Sequence, residues 1–196
     1  MIFINFKTYQ QGTGESALSL AKICAEVEKE TGIKIIPIVQ VVDIFRLASQ
    51  GLNVWAQHVF TPGAKGVLLN HAEKKLSWQD LKKIMEKRQD FQTLVCSESL
   101  EEGQQIAILK PDFLAYEPPE LIGGTVSVSQ AKPEIISDFV AKIKEVPVLV
   151  GAGIHNKEDI KKALELGVKG VLVSSDIVLS ENPKQELLNL AGGFLS

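Results

Sequence analysis

The chain has 196 residues, 24 acidic against 21 basic side chains, a formal net charge of -3 and 45% hydrophobic residues. That size suits one domain, 1–196, with a substantial core, and the slight acidity argues against nucleic acid or an anionic membrane as the main partner. Two cysteines are too few for a disulfide framework, "MIFINFKTYQ" lacks the basic start and small-residue cleavage site of a signal peptide, and no apolar run reaches membrane-span length, so the expectation is a cytoplasmic protein with reduced thiols.

In chain order, the first predicted strand is "IFINF" (2–6). Residues 15–30 follow as a helix, with Ala17, Leu20, Ala21, Cys24 and Val27 at helical spacing. The second strand is "KIIPIV" (34–39). The third and fourth, "NVWAQH" (53–58) and "GVLLNH" (66–71), flank a Pro-Gly turn. A helix over 78–88 aligns Trp78, Leu81, Ile84 and Met85 behind a Ser77 cap with Asp80 three positions on. Strands "FQTLVC" (91–96) and "DFLAYE" (112–117) come next, then a helix over 133–144 that starts at Pro133 and stripes Ile136, Phe139, Val140 and Ile143. The strand "VPVLVG" (146–151), a helix over 157–166 capped by Asn156 with Asp159 and stopped at Gly167, and the strand "KGVLVS" (169–174) complete the series. The strands are continuously apolar rather than alternating, as strands buried on both faces are.

Eight strands alternating with helices fit a (β/α)8 barrel or a doubly wound sheet. No Gly-x-Gly-x-x-Gly follows the first strand, which counts against a dinucleotide-binding sheet. Barrels of this kind typically need about 250 residues, with about 200 as the lower edge, so this chain would be a minimal one. In such a barrel functional residues lie just beyond the strands' C-terminal ends. There the sequence places Asn5, Lys7, Gln57, His58, Asn70, His71, Glu73, Cys96, Glu98 and Glu117, together with the small-residue turns "GAGI" (151–154) and "SSD" (174–176). An amine, an imidazole and a carboxylate converge on one rim, beside backbone N–H groups able to hold an anion.

The segments "INFKTY" (4–9), "AQH" (56–58), "LLNHAE" (68–73), "YEPPELIG" (116–123), "VSQAKPE" (128–134) and "GAGI" closely resemble triosephosphate isomerase, in its shorter archaeal form. The resemblance implies an α/β fold, the (β/α)8 TIM barrel, and interconversion of dihydroxyacetone phosphate and D-glyceraldehyde 3-phosphate. It implies Glu117 as the base, a neutral His71 polarising the carbonyl and shuttling protons between oxygens, Lys7 supplying positive charge, Asn5 adding a hydrogen bond, and Glu73 orienting Lys7. It also implies a lid over Pro118 to Thr125 and a substrate phosphate held by backbone groups near Gly123, Gly124, Gly153, Ser174 and Ser175, with no cofactor and no metal. The chemistry has its own logic. Taking a proton from beside a carbonyl develops charge on oxygen, which needs a fixed donor, and the carboxylate that takes it needs dry surroundings. His58 and His155 match no catalytic position and read as rim or loop residues; Cys96 reads as a structural thiol.

Two small departures from the family pattern are "PPELIGGT" (118–125), with Gly124 and Thr125 exchanged, and Ala72 where serine is common. The large one lies between the third and fourth strands. A parallel crossover normally takes about a dozen residues or more, and about twenty of the family's insert are missing. Seven extended residues, "VFTPGAK" (59–65), reach ~23 Å against the ~17 Å of a five-residue strand. The expectation is therefore a bare extended crossover in place of the third helix, leaving at most seven outer helices. The apolar outer faces of strands three and four would then need cover from Val59 and Phe60 or from a partner. Because family members insert that loop into their partner, its loss removes the usual dimer contact; an exposed gap favours a homo-oligomer built through a non-standard interface. The alternatives to a retained isomerase are a phosphate-binding barrel weakened by the deletion and an isomerase for another small phosphorylated sugar.

Overall fold

The computed structural model describes residues 1–118 and 133–195. Its strands are β1 (Ile2–Asn5), β2 (Ile35–Val39), β3 (Trp55–Gln57), β4 (Gly66–Leu69), β5 (Gln92–Ser97), β6 (Phe113–Tyr116), β7 (Val148–Val150) and β8 (Gly170–Val173). They pair in sequence order, all parallel, and Ile2 to Ile4 register with Val171 to Val173, which closes the barrel. The described helices are α1 (Gly14–Thr31), α2 (Val41–Ala48), α3 (Trp78–Glu86), α4 (Leu100–Ile108), α5 (Pro133–Lys142), α6 (Lys157–Glu165), α7 (Ser175–Val178) and α8 (Pro183–Gly192). Helices α1, α3, α5 and α6 stand where the apolar spacing puts them. Ser77 Oγ accepts the Asp80 N–H and Asn156 Oδ1 accepts the Asp159 N–H, so both predicted caps form.

Because every strand is buried on two faces, there are two apolar layers. Inside the barrel Phe3, Trp55 and Phe113 interlock edge to face or tilted, with Phe3 4.9 Å from Trp55 and 5.3 Å from Phe113. Gly66 makes room for this cluster: a Cβ there would sit 2.5 Å from the Trp55 ring. Outside, residues such as Ile4, Val39, Leu69 and Val95 pack under the helices.

Between β3 and β4 the described chain has no helix, as expected, but the crossover is not extended. At His58 the chain reverses through a γ-turn, with φ at 67° and the Val59 N–H donating to the Gln57 carbonyl at 2.8 Å. A second turn centred on Pro62-Gly63 closes with the Ala64 N–H on the Thr61 carbonyl at 3.0 Å, and Gly63 takes φ 94°. Two tight turns fit because β3 has three residues rather than five, so the return path covers only about 10 Å. The expected gap is also absent. Val54, Ala56, Val67 and Leu69 are fully buried within one chain. Phe60 packs against the outer apolar cluster to which they belong, 5.1 Å from Phe91, whereas Val59 is 44% exposed.

Candidate active site

Asn5, Lys7, His71, Glu73, Glu117, Gly153, Ser174 and Ser175 all line one cleft of about 670 Å³. Gly123, Gly124 and all of the expected lid beyond Pro118 lie outside the described residues.

The site is built from β1 outward. Asn5 ends β1 and is 2% exposed; its Oδ1 accepts the Lys7 N–H at 3.0 Å and Gln57 Nε2 at 3.2 Å. Gln57 Nε2 also donates to the Lys7 carbonyl at 3.1 Å. These bonds clamp Lys7 in a left-handed conformation, φ 49°, which a side-chain-bearing residue adopts only when its surroundings impose it. They also orient the Asn5 amide: with Oδ1 engaged twice, Nδ2 faces His71 Nε2 at 3.5 Å.

His71 follows β4. Its Nδ1 accepts the Glu73 N–H at 3.3 Å, so in the neutral ring the proton resides on Nε2. Burial, with Lys7, His58 and Lys75 adding repulsion, holds its pKa down at about 4 despite the opposing pull of Glu73. The ring is therefore neutral at ordinary pH. Two donors, Asn5 Nδ2 and His71 Nε2, thus converge on a point where an oxygen would accept from both. The segment carrying His71 is anchored by Asn70, whose Nδ2 donates to the Cys96 carbonyl at 2.9 Å and to Glu102 Oε1 at 2.8 Å, while Lys75 Nζ donates to the same carboxylate at 2.9 Å. Lys7 Nζ lies 3.4 Å from Glu73 Oε1.

Glu117 follows β6 and is 4% exposed. Its Oε1 lies 3.6 Å from His71 Nε2, and its Oε2 is shielded without a hydrogen-bond partner. Burial raises its pKa to about 7, against the lowering effects of the Cys96 thiol, which donates to it, and of Lys7. A carboxylate so held is a base matched to neutral pH.

Four features of the site escape sequence reasoning. Gln57 was legible only as a polar rim residue, and its double hydrogen bond depends on β1 and β3 flanking β2. Gly151 must be glycine, because a Cβ would meet Glu117 Cγ at 2.5 Å. Cys96, read as a structural thiol, touches the base. His155 and Asp176, read as rim and turn residues, both line the cleft.

A closed barrel that aims a carboxylate of raised pKa and a neutral imidazole into one small cleft defines a (β/α)8 enzyme of acid–base chemistry. The chain belongs to the triosephosphate isomerase family. The family model of triosephosphate isomerase matches residues 54–190. The triosephosphate isomerase of Methanothermus fervidus is 42% identical over 215 residues, covering 97% of this chain and 96% of the relative. That of Methanosarcina barkeri is 40% identical over 213 residues, covering 96% of each. An alignment of 215 positions exceeds this chain's 196 residues, so the relative carries residues without a counterpart here, in line with the short crossover. Among solved structures, triosephosphate isomerase from Bartonella henselae superposes with a TM-score of 0.71 at 18% identity, covering 100% of this chain and 98% of that one. A thiamine phosphate pyrophosphorylase from Pyrococcus furiosus gives 0.70 at 15% identity, covering 98% and 94%. At those identities the structural likeness speaks for the fold.

Proposed function

We propose that this isomerase interconverts dihydroxyacetone phosphate and D-glyceraldehyde 3-phosphate through an enediolate, with Glu117 carrying the proton between the two carbons. The observation that carries the reading is the convergence of Asn5 Nδ2 and His71 Nε2, 3.5 Å apart, across from Glu117 Oε1, 3.6 Å from the same ring nitrogen. A substrate carbonyl oxygen accepting from the two donors leaves its neighbouring carbon facing the carboxylate. As the proton leaves, charge builds on that oxygen where the donors already point, so no reorganisation is needed at the barrier. His71, neutral and buried, then moves protons between the two oxygens. Lys7 adds positive charge beside the developing anion, and Glu73 holds it there. Dry surroundings protect the intermediate from losing its phosphate.

The turns bearing Gly153, Ser174 and Ser175 are where the phosphate would rest, with Gly123 and Gly124 the remaining candidates. Ser174 Oγ donates to the Asn5 carbonyl at 2.7 Å, tying this side of the cleft to the catalytic strand. Cys24 and Cys96 are both free and buried, which supports a cytoplasmic protein, and no described helix is long and apolar enough to cross a membrane. Assembly of copies through a surface other than the lost loop belongs to the same proposal; the faces of β3 and β4 are covered, and the support is α2, where Val42 and Phe45 are 78% and 83% exposed. Light scattering should detect the assembly, and a clean monomer would retire it. The catalytic reading is tested by following glyceraldehyde 3-phosphate in a coupled assay. Turnover is expected, and folded protein without turnover would favour a barrel that only binds phosphate.

A further inference from the structure

His71 follows β4 and Glu117 follows β6, and β5 stands between those strands. Their 3.6 Å separation is therefore set by what the end of β5 holds on either side. On the Glu117 side the holds are short. The Glu117 N–H donates to the Ser97 carbonyl at 2.8 Å, and the Cys96 thiol donates to the carboxylate. Ser97 is fully buried, and its Oγ donates to the Ser99 carbonyl at 2.6 Å, which fixes the turn into α4.

On the His71 side the hold is Glu102, in the first turn of α4. Its Oε1 accepts Asn70 Nδ2 at 2.8 Å and Lys75 Nζ at 2.9 Å. Its Oε2 accepts the Glu98 N–H at 2.7 Å and Lys75 Nζ at 3.2 Å. Asn70 and Lys75 bracket His71 and Glu73, and the Leu76 N–H donates to Asn70 Oδ1 at 2.9 Å, so residues 70–76 form one tied loop. One carboxylate therefore grips the loop bearing the imidazole at two points and the end of β5 at a third. Every partner is a donor, and only an ionised carboxylate accepts from all of them. Burial works to raise the Glu102 pKa, but the Glu98 N–H, Lys75 and Asn70 together hold it below the ordinary carboxylate value.

A helix cap explains only part of this arrangement. Ser99 Oγ accepts the Glu102 N–H at 3.1 Å, and a glutamate at that spacing ordinarily reaches back to a backbone N–H at the helix start. The bond to Glu98 is of that kind. The bonds to Asn70 and Lys75 leave the helix for another loop, and capping does not require them. We propose that Glu102 is a positioning residue for the isomerisation, holding the His71 imidazole, through Asn70 and Lys75, at its working distance from the Glu117 carboxylate. Glu102 lies outside the described lining of the cleft, so it acts through the loop. This rests on the triose phosphate reading of the cleft.

The test compares Glu102→Ala, Glu102→Gln and Ser99→Ala by steady-state kinetics with glyceraldehyde 3-phosphate and by NMR hydrogen exchange of the Glu73 and Leu76 N–H groups, which donate to His71 Nδ1 and Asn70 Oδ1. Glu102→Ala should speed exchange at both sites about tenfold or more and lower kcat roughly ten- to a hundredfold with KM nearly unchanged, as misplacement of a catalytic group does. Glu102→Gln, which can accept at one oxygen only, should fall between. Ser99→Ala weakens the same helix start but leaves the loop held, so its thermal midpoint should drop while kcat and both exchange rates stay at wild-type values. Asn70→Gly keeps the backbone at φ 56° accessible; in that background Glu102→Ala should cost less in kcat than it does alone, because its route is already cut. Wild-type exchange or wild-type kcat in Glu102→Ala overturns the proposal. So does a Ser99→Ala enzyme that loses as much kcat as Glu102→Ala, or an equal cost of Glu102→Ala in both backgrounds. A wild type without turnover would sink the isomerase reading, and exchange at Glu73 and Leu76 would still decide whether Glu102 holds the His71 loop. Should Glu102→Ala fail to fold, Glu102→Gln carries the same comparison.

Discussion

Glu117 and His71 are pushed in opposite directions by one cause, the removal of water from a charged form. For Glu117 the native state holds its proton more tightly than the unfolded chain does, since the pKa rises from 4.5 to about 7. Its contribution to stability is therefore lost as pH rises across that interval. For His71 the pKa falls from 6.5 to about 4, the unfolded chain binds the proton more tightly, and stability is lost as pH drops across that interval. Over the shared range the two slopes oppose each other, so the thermal midpoint of the wild type should be nearly level there. Glu117→Gln removes one slope. The variant should lose stability on acidification through the His71 window and exceed the wild type near pH 8 by roughly 1–3 kcal/mol, as removal of a buried ionised carboxylate implies. Thermal melts at stepped pH read this directly; parallel curves for the two proteins would mean that Glu117 is not held as described. Activity should move the other way: kcat falls about 10²–10⁴-fold in Glu117→Gln, and wild-type kcat/KM declines below about pH 7 as the base takes up its proton.

At the level of elements, glycines decide what the strands can carry. Gly151→Ala places a Cβ 2.5 Å from Glu117 Cγ and should displace the base, costing about 10²-fold in kcat while the barrel remains folded. Gly66→Ala drives a methyl into the Trp55 ring and should destabilise by about 1–3 kcal/mol, as overpacking does, with kcat preserved in the folded fraction. Chemical denaturation paired with initial rates separates the two effects; a Gly151→Ala enzyme with full kcat would remove the steric argument. These contacts also mark where sequence reading stops. The strands and four helices were legible because apolar runs and caps are local signals. Helix α2 was not, because "VVDIFRLA" carries apolar residues all round, burying Ile44 and Leu47 while exposing Val42 and Phe45. Helix α4 buries only Gly103 and Ile106, and its mid-helix glycine exists to admit Phe139 from α5, whose ring would lie 2.5 Å from a Cβ. The sequence predicts an extended crossover after β3 because a typical five-residue strand sets the distance to be spanned. Only the sheet register shows that three suffice.

Across the whole molecule, a barrel closes with one of its helical crossovers replaced by two turns. Phe60 and Ala64, from the short crossover, pack into the outer apolar cluster and so bury apolar surface in the helix's absence. The principal residues were legible because each ends a strand, and strand ends meet by topology. Gln57, Gly151, His155 and Asp176 meet their neighbours only across separate strands, β3 to β1, β7 to β6 and β7 to β8, which no local pattern encodes. The central claim is that Glu117 lifts a carbon-bound proton while Asn5 and His71 hold the oxygen. It is tested most directly by running the isomerisation of glyceraldehyde 3-phosphate in heavy water and reading the product by NMR. The wild type should deliver dihydroxyacetone phosphate bearing deuterium at the newly protonated carbon, and Glu117→Gln should form almost none. Product free of deuterium, or labelled product formed by Glu117→Gln at the wild-type rate, would contradict the account.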